Sequence, residues 1–147
     1  MTDILATLLE WTGAGAPVAV ATIVTHEGST PRSAGAKMLL DPAGRMAGTV
    51  GGGLVEARGL AACREALGGG PSRLVDFDLT GELAAGADMI CGGRLRVFVE
   101  RVSPGEEARV FAELEELLRE GQRCLLAAGL TGGERALLAQ PGGETGE

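Results

Sequence analysis

The sequence predicts one α+β domain, a mixed β-sheet with hairpins and about three packed helices, and three observations carry that expectation. Residues 17–26 are an almost unbroken apolar, β-branched run, suited to a central strand buried on both faces. Residues 73–79 and 94–101 alternate apolar with polar side chains, as half-buried strands do. Helical periodicities fall between hairpin signals instead of alternating strictly with single strands, which disfavours a doubly wound parallel sheet. At 147 residues the chain suits a single core that buries roughly two-thirds of its unfolded surface without a disulfide or metal staple. The domain is expected over residues 1–140, with 141–147 as a flexible tail.

Taken in order, Thr2 caps a first helix whose Ile4, Leu5, Leu8 and Leu9 share a side and which ends at Gly13 to Gly15. The strand at 17–26 delivers Glu27 to Arg32 at its C-terminal end. Residues 36–40 and 45–50 form a hairpin around Asp41-Pro-Ala-Gly44, whose proline and glycine positions suit a type I turn. Gly51-Gly-Gly53 then opens a helix over 54–67 with Leu60, Cys63 and Leu67 on one face. After the two alternating strands, Ser103-Pro104-Gly-Glu106 reads as an N-cap, a proline at the first helical position and a capping-box glutamate. The helix they start carries Val110, Phe111, Leu114, Leu117 and Leu118. Residues 123–130 and 136–140 form a second hairpin.

A formal net charge of −7 argues against a partner that is a nucleic-acid backbone. Three cysteines without a C-x-x-C, together with one histidine, assemble neither a disulfide framework nor a closed zinc site, and they fit a reducing, cytoplasmic setting. No basic-then-apolar leader and no run of about 18 apolar residues is present, so neither secretion nor membrane spanning is expected. The 25 glycines form no repeat, and they point to local geometric tasks.

Those tasks concentrate in three places. A strand that enters Gly51, Gly52 and Gly53 and leaves as a helix presents unpaired N–H groups, with the helix dipole behind them, to an anion. The pattern is neither a P-loop nor a G-x-G-x-x-G fingerprint, and the same glycines also suit a tight turn with close helix packing. Arg32, with Ser29 and Thr30 beside it, offers a guanidinium fork and two hydroxyls to a phosphate or carboxylate, or is a solvated arginine at a turn. Glu56 in the first helical turn is either a dipole partner or a site residue. Cys91 stands before Gly92 and Gly93, whose missing side chains leave a sulfur approachable and whose N–H groups favour a thiolate; the alternative is a buried core cysteine. Cys63 and Cys124 sit in apolar patterns as packing residues. His26 is expected to be a hydrogen-bonded structural residue, and a catalytic pairing with Cys91 stays open.

Glu27-Gly-Ser-Thr-Pro-Arg32, Gly35-Ala-Lys-Met38, Gly48-Thr-Val-Gly-Gly-Gly53 with Glu56 after it, and Cys91-Gly-Gly93 occur in that order over roughly residues 17–102. Together they resemble the N-terminal domain of the XdhC/CoxI family. The resemblance implies a maturation factor, a chaperone for molybdenum hydroxylases of the xanthine dehydrogenase or carbon monoxide dehydrogenase type. Such a factor binds molybdenum cofactor, keeps it for sulfuration and assists its insertion. It implies that Ser29, Thr30, Arg32, Gly51, Gly52, Gly53, Glu56, Gly92 and Gly93 hold molybdopterin or a dinucleotide form of it, whose phosphate or pyrophosphate suits the glycine turn and Arg32. Cys91 would face the metal as a soft thiolate ligand or sulfur relay. The implied partners are an apo molybdenum hydroxylase, a cysteine desulfurase and a second copy of the chain.

Two departures accompany the resemblance. Leu54 stands where the family commonly has a cysteine after the triple glycine, which leaves Cys91 to carry any thiol chemistry, and the family's usual C-terminal Rossmann-type domain is absent from this sequence. A carrier is favoured over a catalyst. Two other classes remain: a protein-interaction module that takes no cofactor, and a small thiol-dependent enzyme using Cys91, His26 and Glu27.

Overall fold

Strand β1 (Val18–Glu27) is the centre of the molecule, flanked on one side by the hairpin β2 (Lys37–Leu40) and β3 (Met46–Gly48) and on the other by β5 (Arg94–Val102) and β4 (Arg73–Asp78). The computed structural model describes residues 2–80, 92–131 and 134–139. Within them the five strands run in the order β3-β2-β1-β5-β4, and each neighbouring pair is antiparallel. Helices α1 (Thr2–Gly13), α2 (Gly53–Leu67) and α3 (Glu106–Arg119) pack around this sheet, and β6 (Cys124–Ala128) with β7 (Arg135–Ala139) forms a separate two-stranded sheet. The chain is thus a single α+β domain. The expected tail at 141–147 lies outside the described residues.

The unbroken apolar run of β1 follows from cover on both sides. Successive side chains of a strand point to opposite faces. Ala19, Ala21 and Ile23 join Met38, Leu40, Val97 and Val99 beneath α2, whereas Val18 and Val20 join Leu39 and Val102 beneath α1 and α3. Leu5, Leu8 and Trp11 close the second layer from α1, and Phe111 and Leu114 close it from α3. Each large side chain buried this way stabilises the fold by about 1.5–3 kcal/mol over leaving it in water.

Helix α2 packs the expected Leu60, Cys63 and Leu67 side toward the sheet, but small residues make the closest contact. Its buried residues are Val55, Gly59, Ala62, Cys63 and Ala66, with Leu60 and Leu67 only partly buried on the flanks. A Cβ at Gly59 would sit 3.3 Å from Met38 Cε and 3.6 Å from Val50 Cγ2. The helix therefore lies too close to the sheet for leucines in the contact line, and the larger side chains border it.

Two turns illustrate how local chemistry sets the ends. In the β2–β3 hairpin Gly44 N–H donates to Asp41 C=O at 3.0 Å, while the buried Asp41 carboxylate accepts from Arg45 N–H at 2.7 Å and Arg45 Nε at 2.6 Å. Helix α3 begins two residues later than the capping-box pattern predicts. Gly105, at φ +92°, occupies the N-cap position, and Ser103 N–H donates to the Glu107 carboxylate at 2.5 Å. Residues 103–105 turn before the helix because Gly105 takes a left-handed backbone that a proline-started helix lacks.

The register decides where the loops go. Thr22 pairs with Lys37 and Met38 with Gly48, while Glu27 pairs with Arg94. The end of β1, the end of β3 and the start of β5 consequently lie at one end of the sheet, and the chain segments 28–34, 49–52 and 92–93 gather there.

Candidate functional site

The first of these segments is an excursion from β1 with a closed neck. Gly35 N–H donates to Ile23 C=O at 2.8 Å, Ile23 N–H donates to Ala36 C=O at 2.9 Å, and Ala34 N–H donates to His26 Nδ1 at 3.1 Å. His26 is therefore an acceptor that clips the loop shut, in keeping with the structural role expected of it. Within the loop the Thr30 hydroxyl donates to Arg32 C=O at 2.9 Å, so one of the two hydroxyls is occupied in shaping the turn. The Arg32 and Ser29 side chains are exposed. His26 and residues 28–33 line an open, polar hollow of about 450 Å³.

The second segment is the glycine turn between β3 and α2. Gly51, Gly52 and Gly53 adopt φ of +134°, +74° and +53°, a run of backbone that side-chain-bearing residues rarely take. Gly52 is the N-cap of α2 with no side-chain cap, and the first N–H groups of a helix have no partner within it. Gly51 N–H is engaged, donating to Thr49 Oγ1 at 3.1 Å, and the Thr49 hydroxyl donates in turn to Glu56 at 2.7 Å. Glu56 thereby braces the turn from the helix. Cβ atoms built at Gly52 and Gly53 would meet nothing within 4 Å, so open space lies over both residues.

These two segments touch. A Cβ at Gly51 would lie 2.5 Å from Pro31 Cγ and 3.1 Å from Pro31 Cβ, so the proline ring beside Arg32 rests on the glycine turn. The third segment packs against the first even more closely: a Cβ at Gly93 would come within 2.5 Å of Glu27 C=O and 2.7 Å of Thr30 Cγ2, and nearer still to Ser29 C=O. Gly28 reciprocates, its missing Cβ lying 3.2 Å from Gly92 C=O. Gly93 C=O also accepts from Leu79 N–H at 2.8 Å, which ties the β4 end into the cluster.

Charge at this end is mixed. Arg94 lies 3.5 Å from Asp78, both exposed, and Asp78 also accepts from the Thr80 hydroxyl and from Thr80 N–H at 2.9 Å. Those Thr80 hydrogen bonds, more than Arg94, hold the Asp78 carboxyl below its usual range. Arg32 has no ion pair among the described residues.

Of the residues singled out in the sequence, Ser29, Thr30 and Arg32, the turn Gly51–Gly53 with Glu56, and Gly92 with Gly93 thus come to one end of the sheet. Arg32 and the glycine turn meet through Pro31, which rests on Gly51 and also lines the hollow. Cys91 lies outside the described residues. Cys63 is fully buried under α2, and burial pushes its thiol up to about 11 against the lowering pull of Arg64. Cys124 is half-buried at the start of β6. No group of three or more His, Cys, Asp or Glu that could hold a metal ion occurs among the described residues. None of their helices is long and apolar enough to cross a membrane. Sequence reasoning missed the Thr49 bridge and the Pro31 contact. The first had a local signal in Thr49 standing before the glycines and Glu56 after them; the second had none.

Residues 11–78 match the family model described as "XdhC and CoxI family". The chain is 34% identical over 108 residues to a probable xanthine dehydrogenase subunit of Bacillus subtilis (strain 168), covering 70% of this chain and 32% of that protein. It is 40% identical over 85 residues to YqeB of Escherichia coli (strain K12), covering 56% of this chain and 15% of that protein. A crystal structure of a xanthine dehydrogenase from Bacillus halodurans superimposes with a TM-score of 0.75 at 25% identity, over 95% of this chain and 42% of that one. The chain spans about a third or less of the length of these two curated relatives and under half of the structural one.

Proposed function

This chain is a member of the XdhC and CoxI family, matched over residues 11–78 and related to xanthine dehydrogenase proteins over a longer span, and on that premise we propose that it is an accessory domain for a molybdenum hydroxylase. Its task is to hold molybdenum cofactor for sulfuration and insertion, with an apo hydroxylase as the partner that receives it and a cysteine desulfurase as the sulfur source. The carrying observation is the seat of Pro31 on Gly51, which joins the Arg32 loop to a glycine turn with open space over Gly52 and Gly53.

The residues present fit the anionic end of such a cofactor. Open space lies over Gly52 and Gly53, the start of α2 adds the positive end of a helix dipole, and Arg32 supplies a fork for phosphate oxygens. Glu56 stands in the same helical turn, and its engagement with Thr49 keeps the loop in shape. Molybdenum cofactor supplies a metal held by dithiolene sulfurs, the centre at which a hydroxylase later works. Cys91, next in sequence to Gly92, is the thiol proposed to face that metal, since a soft ligand suits it. With Leu54 in place of a second cysteine, one thiol carries this part alone.

The test is the metal and pterin content of protein purified from a molybdenum-replete host. The parent is expected to carry both, Arg32→Ala to lose both, and Cys91→Ser to fold yet retain less molybdenum. A parent protein free of molybdenum and pterin, purified alongside a client hydroxylase that it still binds, would favour an interaction module instead.

A further inference from the structure

A second site lies on the sheet face covered by α1 and α3, opposite the face covered by α2. There a cavity of about 430 Å³ is walled by Leu5 and Leu8 of α1, Phe111 and Leu114 of α3, Leu126 of β6 and Phe98 of β5. Three polar side chains reach it: Thr22, Lys37 and Glu100. Glu100 is buried and already answered, its carboxylate 2.6 Å from Arg135 Nη2, with the Arg135 guanidinium over the Phe111 ring at 5.3 Å. Lys37 is different. It is half-buried, and its ammonium donates to the Thr22 hydroxyl at 3.0 Å without an ion pair among the described residues. Burial lowers its pKa from the usual lysine value, and the Glu100 charge opposes that only in part. A cavity of this size, apolar with a few convergent polar groups, has the make-up of a small-molecule site.

We propose that this cavity binds an apolar monocarboxylate, its chain among the α1, α3 and β6 side chains and its carboxylate on Lys37 Nζ. The cation decides the class. A neutral apolar ligand would leave the ammonium in the wall with one hydroxyl acceptor, whereas a carboxylate gives it a charge-assisted hydrogen bond where surrounding water is scarce. A cationic ligand is disfavoured because Glu100 is committed to Arg135. A cavity of about 430 Å³ suits medium-chain or single-ring acids. The carboxylate meets Lys37, not Arg32 or Gly51–Gly53, so this ligand and the proposed cofactor occupy separate sites.

The probes are octanoate and 1-octanol, matched in chain length and different in charge, titrated calorimetrically against the parent protein and three variants. Octanoate is expected to bind one per chain and at least about tenfold more tightly than 1-octanol, the scale of one charge-assisted hydrogen bond. Lys37→Met is expected to keep 1-octanol binding and lose the tenfold preference. Thr22→Val, which keeps the shape, is expected to retain the preference. Ala128→Trp places bulk at the exposed rim of the cavity and is expected to block both probes without disturbing the core. Absence of binding by the parent at millimolar octanoate, equal affinity for the two probes, a preference that survives Lys37→Met, or unchanged binding by Ala128→Trp would each overturn the proposal.

Discussion

Replacing Gly51 by alanine probes the contact on which the loop cluster depends. The new methyl would lie 2.5 Å from Pro31 Cγ, closer than non-bonded carbons approach, and Gly51 has a φ of +134°. Backbone strain of this kind costs about 1–3 kcal/mol. Overpacking against a rigid ring adds about 1–3 kcal/mol more. Gly52→Ala is the control, because it carries the φ strain at +74° but meets nothing within 4 Å. Gly51→Ala should therefore be the more destabilising by about 1–3 kcal/mol, or roughly 2–4 °C in Tm for each kcal/mol in a domain of this size. Urea unfolding followed through Trp11, the single tryptophan and 6% exposed, provides the assay. The decisive form is a double-mutant cycle with Pro31→Gly, in which the overlap disappears while the strain remains. A coupling of about 1–3 kcal/mol is expected, and additivity within about 0.5 kcal/mol would refute the seating of Pro31 on the glycine turn.

Further outcomes follow from the same contacts. Thr49→Val removes both the acceptor for Gly51 N–H and the donor to Glu56, so it should cost about 1–3 kcal/mol in urea unfolding. Cys63, buried and with its thiol pushed up to about 11, should resist iodoacetamide at pH 8 in the folded protein, which mass spectrometry of the labelled protein can check. Burial pushes the Asp41 carboxyl up, but the Arg45 hydrogen bonds and charge outweigh it and leave it below its usual range. A depressed folded value means stability that is present above the unfolded pKa and lost as pH falls through the folded one. Asp41→Asn should accordingly destabilise at neutral pH and reduce the loss of Tm on acidification, whereas an unchanged acid profile would remove Asp41 from that role.

Much of the frame was readable from local pattern. The run at 17–26 announced a strand covered on both faces because it is rich in β-branched residues, has few polar interruptions and is bounded by glycines, and its first six residues, from Val18, are buried or nearly so. The glycines at 51–53 announced a special turn because their density exceeds what a helix start needs. What escaped was set by distant packing. Nothing near Pro31 indicates that its ring rests on Gly51, twenty positions away, and nothing in α2 indicated that Gly59 and the alanines make its closest contact, which Met38 and Val50 set from the sheet. Ser103 lost its capping role to geometry at Gly105, where the backbone turned one step before the helix. The Lys37 cavity depends on α1, α3 and β6 meeting over one face, which no periodicity in Gly35-Ala-Lys-Met38 records. Cys91, the thiol most prominent in the sequence, falls outside the described residues.

The proposed role rests on the glycine turn and the Arg32 loop acting as one anion seat, and direct titration of molybdopterin tests that claim most sharply. The parent protein should bind it saturably, with inorganic pyrophosphate as a competitor. Gly52→Val, which puts a branched side chain into the open space at φ +74°, should abolish binding while the Trp11 unfolding transition stays cooperative. Saturable binding of equal affinity by the folded Gly52→Val protein would contradict the account.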